Sequence, residues 1–360
     1  MATPTEVQGL SAVDLAHAYY VAQAARSRQA TDRVQALWRE LDRRDLTGSW
    51  ESYVGPAVVA AVTAGQFASA AAADAYVDSV VRADGGRPDA AGMIRPSAFA
   101  GAAADGRSLE TLLYLPVITA KQGIAAGMSD VEAMMRGLER LLRMAATEVA
   151  DAGRTATGAA IAGRRTIQGY IRVVSPPACA RCIILAGKEF GWNRGFQRHP
   201  RCDCVHVPST LIARSGGRRP GSVARESFTP TTRPGGRGFL DPREYWNSLS
   251  PREQDRIFTR DGAKAIRDGA SIGSVVNARR GMYTAGPRGN REIATYSGTG
   301  RLSMYYHVAR QRAYQDGTAN PRYPRRFQLR APRLMPEQIY RIARSRDEAI
   351  ALLRQYAYIT

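Results

Sequence analysis

All four cysteines of this 360-residue chain fall within 26 residues, and they fall in two pairs. Cys179-Ala-Arg-Cys182 is a C-x2-C knuckle. Sixteen residues further on comes His199-Pro-Arg-Cys202-Asp-Cys204-Val-His206. Two cysteines across a tight turn supply half of a tetrahedral site, and a second short loop supplies the other half. Thiolates are soft ligands that select Zn2+ over hard cations, and four protein ligands leave no open position, so the site would be structural. Metal binding of that kind is also folding free energy, which fixes a segment too short to build its own core. The expected ligands are Cys179, Cys182, Cys202 and Cys204, with His199 competing for the fourth place and His206 the weakest candidate. Buried thiols are the plain alternative. A redox pair is disfavoured, because the thioredoxin-like knuckle sits beside a βαβ pattern that this sequence does not show.

Charge divides the chain a second way. Residues 1–210 carry 23 basic and 20 acidic side chains, whereas residues 211–360 carry 28 and 12, a net +16. Only Lys121, Lys188 and Lys264 among the 51 basic residues are lysines. Arginine forks grip phosphate bidentately, so an excess of this size predicts a polyanionic neighbour. No basic stretch leads into a long apolar run at the N-terminus, so a reducing cytosol is the expected place of synthesis. The uncharged stretch from Pro56 to Ala73 is mostly alanine, with three valines and one phenylalanine. A membrane partner is therefore not expected.

Four regions follow from the pattern: a helical N-terminal region (1–104), a core holding the Cys/His cluster (105–208), a linker (209–240) and a basic helical C-terminal region (241–360). From Ser11 to Gly163 the sequence is Ala-rich and helical. Val34, Leu37, Trp38 and Leu41 keep the i, i+3, i+4, i+7 spacing of one helix face. Ser129-Asp-Val-Glu132 forms a capping box. It opens a predicted core stripe of Met135, Leu138, Leu142, Ala145 and Val149. Thr166–Val174 favours a strand, closed by Pro176-Pro177. The Gly-, Pro- and Arg-rich run 209–240 reads as a linker. Ser250-Pro251-Arg252-Glu253 starts another helix, with Ile257 and Phe258 as its buried pair. A short helix over Ala263–Arg267 stops at Gly269, Pro336 opens one carrying Ile339 and Ile342, and Ser345 caps the last. The fold class predicted is mainly α, with a small zinc-stapled α+β centre and a basic C-terminal region of short helices.

The stretch Cys179-x2-Cys182, Gly187, His199-Pro-Arg-Cys202-Asp-Cys204 resembles the phage Mu F-like head morphogenesis domain. That family shows a C-x2-C followed by His-Pro-Asn-Cys-Arg-Cys. Here Arg201 replaces the Asn and Asp203 the second Arg, while every metal-type residue matches. Glu244–Phe258 and Val275–Met282 resemble the C-terminal part of such proteins in phages of high-GC hosts. The resemblance covers about residues 105–285. It implies a minor capsid protein of the virion, made in the host cytoplasm. Such a protein is associated with the portal and shell and lies close to packaged DNA, which the Arg-rich part would contact without reading its sequence. No enzyme is expected. A zinc-containing nucleic-acid-binding protein or nuclease is the alternative, although only Asp203 lies near the cluster as a hard ligand for a hydrated cation. An ADP-ribosyltransferase-type toxin fusion would carry a Glu-x-Glu pair in the last third, and the sequence has none there.

Overall fold

In the computed structural model the described residues are 10–193, 204–209, 238–286, 291–329 and 331–359. They divide into two compact units. The first comprises Met1–Ala178 with Ala186–Leu240, the second Cys179–Leu185 with Asp241–Thr360.

The first unit is organised by two long helices, α1 (Ala12–Trp38) and α6 (Asp130–Ala162). Each begins in a full capping box, Ser11 with Asp14 and Ser129 with Glu132. In both, the serine hydroxyl accepts a free amide of the first turn and the acid reaches back to the cap N–H. Between them lie α2 (Leu46–Ser49), α3 (Gly55–Ala71), α4 (Ala73–Ala83) and α5 (Leu109–Ala125). The α5 helix stops at Gly127, whose φ of +84° only glycine takes cheaply. There the Met128 amide returns to the Gly123 carbonyl.

Two apolar cores lie along this pair. One joins Val34, Leu37 and Trp38 of α1 to Val58 and Val62 of α3, Leu113 and Val117 of α5, and Leu141, Ala145 and Val149 of α6. The other joins Val13 and Ala16 of α1, Val77 and Val80 of α4, and Ala156 and Ile161 of α6 to a small sheet. Helices on both sides of position 104 thus share one core. The helical run Leu46–Ala83 is long and apolar enough, by length and composition alone, to cross a membrane. Its Val54, Val58, Val62, Val77 and Val80 are fully buried in these two cores. At roughly 1.5–3 kcal/mol for each fully buried aliphatic side chain, such positions hold the bundle together.

The predicted stripe on α6 holds at Ala145 and Val149 and needs correction at Met135, Leu138 and Leu142. Met135 is 58% exposed, and Leu138 and Leu142 are half-buried. The buried face instead runs Ala133, Gly137, Leu141, Ala145, Val149, Ala152. Gly137 decides this: the Trp38 ring lies where its Cβ would be, 2.7 Å from that point at the nearest atom.

The sheet has the order β2-β1-β3, with β1 (Gly169–Val174) central and antiparallel to β2 (Glu189–Gly191) and β3 (Cys204–Ser209). All six residues of β1 and all six of β3 are buried, in keeping with a sheet covered by helices. The predicted strand forms, starting three residues later than Thr166. Most of the predicted linker 209–240 lies outside the described residues.

The second unit contains α7 (Ala180–Ile183), α8 (Pro242–Ser248), α9 (Pro251–Phe258), α10 (Arg260–Arg267) and α11 (Ile272–Arg280). A hairpin of β4 (Met282–Ala285) and β5 (Glu292–Thr295) follows, then α12 (Met304–Gln315), β6 (Arg333–Leu334), α13 (Pro336–Ile342) and α14 (Arg346–Gln355). The Ser250–Glu253 capping box and the Ser345 cap form as predicted. Phe258 is buried, Ile257 only half so, and Ile342 is 41% exposed. The three-stranded sheet β4-β5-β6 was not expected in a region read as short helices. Its strands are four, four and two residues long, below the length at which alternation is legible. The described residues are mainly α with two small sheets.

Candidate functional site

Cys179 is the N-cap of α7, and its sulfur accepts the backbone N–H of Cys182 at 3.5 Å. Cys182 is fully buried and Cys179 half-buried. The two cysteines therefore share one tight turn, with an amide directed at one sulfur. An N–H donor of that kind stabilises a thiolate and orients it as a ligand. This turn belongs with the second unit. His199 and Cys202, together with the intervening Arg201 and Asp203, lie outside the described residues.

Cys204 opens β3 in the first unit and is buried. Antiparallel register pairs Val174 with Cys204 and Arg172 with His206, so these four side chains share one face. Arg172 is 1% exposed, and its Nη2 donates to the Cys204 sulfur at 2.6 Å. Among the described residues, no group of three or more His, Cys, Asp or Glu side chains converges as a metal site.

His206 is buried on the same strand. Its ring lies 4.4 Å from that of Tyr170, centroid to centroid, and its carbonyl accepts the Tyr76 hydroxyl at 2.8 Å. Burial pushes the Tyr76 hydroxyl well above the ordinary tyrosine range. Tyr76 in turn stacks on Tyr19, with ring centroids 4.0 Å apart, and Tyr19 hydrogen-bonds Thr157 at 2.9 Å. Tyr19, Thr157 and His206 help wall a cavity of about 300 Å³ between α1, α6 and β3, whose lining also includes Gln23, Arg154 and Cys204. Small residues make the space: Ala146, Ala150 and Gly153 form its α6 side.

Arg172 is the functional candidate that sequence reasoning passed over. Its signal was present in the sequence as a lone charge inside the apolar run Tyr170-Ile171-Arg172-Val173-Val174. A charge in a fully buried strand needs a partner, and here the partner is one of the four cysteines.

Residues 10–223 match the family described as VG15 protein, which is more than half of the chain. The chain belongs to the VG15 protein family. It is a family of phage proteins. The matched span contains the long helices, the sheet and the whole Cys/His cluster, while residues 241–360 of the second unit lie beyond it. No curated protein and no solved structure matches. The finer likeness to the Mu F-like head morphogenesis domain is carried by the cysteine motif and by the blocks Glu244–Phe258 and Val275–Met282, and it goes beyond this match.

Proposed function

We propose that this VG15-family chain is a minor capsid protein of a phage head, associated with the portal vertex and structural rather than catalytic. The observation that carries the reading is the division of labour along the chain. The phage-family match covers the helical body, and most of the positive charge lies after it: residues 224–360 carry 25 basic and 12 acidic side chains, a net +13. Long capped helices with two continuous cores suit a rigid body that docks on the portal or the inner shell. An arginine-rich remainder suits packaged DNA, a dense polyanion that cations neutralise without base readout. In this reading Cys179, Cys182, Cys202 and Cys204, with His199 as the competing fourth ligand, hold a structural Zn2+.

Quantitative mass spectrometry on purified particles and empty proheads tests the role. A fixed low copy number per particle, enriched with the portal, is the expected result. Absence from both removes the structural reading and directs attention to nuclease activity. Zinc is tested separately: about one metal per chain is expected, together with a lower melting temperature in chelator. Zinc well under one per chain, with melting unchanged by chelator, removes the metal site and leaves the head assignment standing.

A further inference from the structure

The second unit carries a groove that the charge count alone does not reveal. Between residues 301 and 333 the sequence has eight arginines and a single acid, Asp316. Arg333 is spent internally: its guanidinium donates to the carbonyls of Ser297, Tyr356 and Ala357 and lies over the Tyr358 ring. Arg312, Arg322 and Arg326 are exposed.

The segment after α12 bends back along that helix and is fastened at several points. The Ala319 amide and the Thr318 hydroxyl both donate to the Ala313 carbonyl. Tyr306 donates its hydroxyl to the Phe327 carbonyl at 3.1 Å and packs edge-on against the Phe327 ring. Tyr305 donates to the carbonyls of Ala331 and Pro332. The space enclosed between helix and segment is about 590 Å³. Ala309, Ala313, Ala319, Leu329 and Ala331 give it an apolar floor, while Asn320 and Gln328 bring amide groups to it. At its mouth Tyr323 is 53% exposed, with the Arg326 guanidinium 4.8 Å above the ring centroid.

We infer that this groove takes the unpaired bases of a nucleic-acid strand, with Tyr323 and Arg326 as the stacking platform. Three features select that occupant. Aromatic and guanidinium planes are the surfaces on which unstacked bases lie. Amide side chains offer a donor and an acceptor together, which is what a base edge presents. The uncompensated arginines meet the phosphates. A duplex presents no free base face, so the platform would discriminate between single and double strands even though the arginines do not. An acidic protein segment would use the arginines but would gain little from an amide-lined apolar floor. The inference rests on the reading that the Arg-rich part faces nucleic acid, and it specifies where and in what form.

The experiment uses the full chain and fluorescence anisotropy with a short labelled oligothymidylate and a duplex of equal length, with poly-glutamate as competitor. Tighter binding of the single strand is expected. Tyr323→Ala and Arg326→Gln should each weaken it by about fivefold or more, the scale of one lost base stack. Tyr323→Phe should keep most of the affinity, and duplex binding should hardly move in the two Tyr323 variants. Retention in Tyr323→Phe separates lost stacking from a damaged fold, and Arg326→Gln, at an exposed position, gives a second test on a folded protein. If Tyr323→Ala binds the single strand as tightly as the parent while both DNAs still bind, the groove is not the site and the electrostatic reading survives. Poly-glutamate binding that depends on Tyr323 would make the groove an acidic-protein site and overturn the inference. If neither DNA binds at low salt, the groove inference and the DNA-facing role fall together.

Discussion

Arg164 sits just past the end of α6 with no exposed side-chain surface. Its guanidinium reaches Asp74 at 3.0 Å and Asp78 at 2.6 Å, both on α4, and also donates to the carbonyls of Ala160 and Asp74. The second oxygen of Asp74 accepts the Ile94 amide at 2.7 Å, so the cluster ties α4, the end of α6 and the loop after α4 together. Replacing Arg164 with Met keeps most of the volume and removes the charge. Two carboxylates, 10% and 19% exposed, then face each other without a cation. Removing one partner of a buried pair costs about 3–5 kcal/mol, because the charges left behind must be hydrated or protonated. The upper half of that range fits here, since one arginine serves two acids and two carbonyls. Hydrogen exchange with mass spectrometric readout isolates the first unit from the second. Peptides covering α4 and β1 should lose protection by about a hundredfold or more in Arg164→Met. Adding Asp74→Asn and Asp78→Asn should restore much of it. A loss below about 1 kcal/mol in the single variant would refute the argument, since that is the worth of an exposed ion pair.

Two further outcomes follow from the first unit. Glu148 accepts the Ala104 amide at 2.8 Å, and burial raises its carboxyl above the ordinary glutamate range. The folded state therefore binds this proton more tightly than the unfolded chain does, and stability from this group is lost as pH rises through the shifted range. Glu148→Gln should raise the melting temperature at neutral pH and change it little at acid pH, which thermal melts across pH will check. On α6, a Cβ at Gly137 would stand 2.7 Å from the Trp38 ring and 3.0 Å from the Pro116 carbonyl, while one at Gly158 meets nothing within 4 Å. Gly137→Val should destabilise by about 1–3 kcal/mol through overpacking. Gly158→Ala should stabilise by up to about 1 kcal/mol through helix propensity. Denaturant titrations showing equal effects at the two glycines would contradict the packing described.

The sequence by itself determined what depends on near neighbours. Ser129 with Glu132, and Ser250 with Glu253, specify their caps because donor and acceptor lie three residues apart. The Cys179–Cys182 knuckle follows from the same short reach. Val34, Leu37 and Trp38 point one way on α1 whatever they pack against, and Leu41, just past the helix end, joins the same core. The charge division is a property of the residues alone. The tertiary structure decided the pairings across long separations. Which face of α6 turns inward depended on the Trp38 ring entering at Gly137, so a stripe through Met135 that satisfies helical spacing is left partly in solvent. The Arg172 contact with Cys204 spans 32 residues and exists because antiparallel register sets Val174 opposite Cys204. Arg164 finds its two acids 86 and 90 residues away. The Tyr323–Arg326 platform needed the segment after α12 to fold back, which hydrogen bonds to Ala313, Phe327 and Ala331 impose. Local signals are legible because chain connectivity already holds their partners close. Long-range ones are not, because many registers satisfy the same pattern and only simultaneous packing selects one.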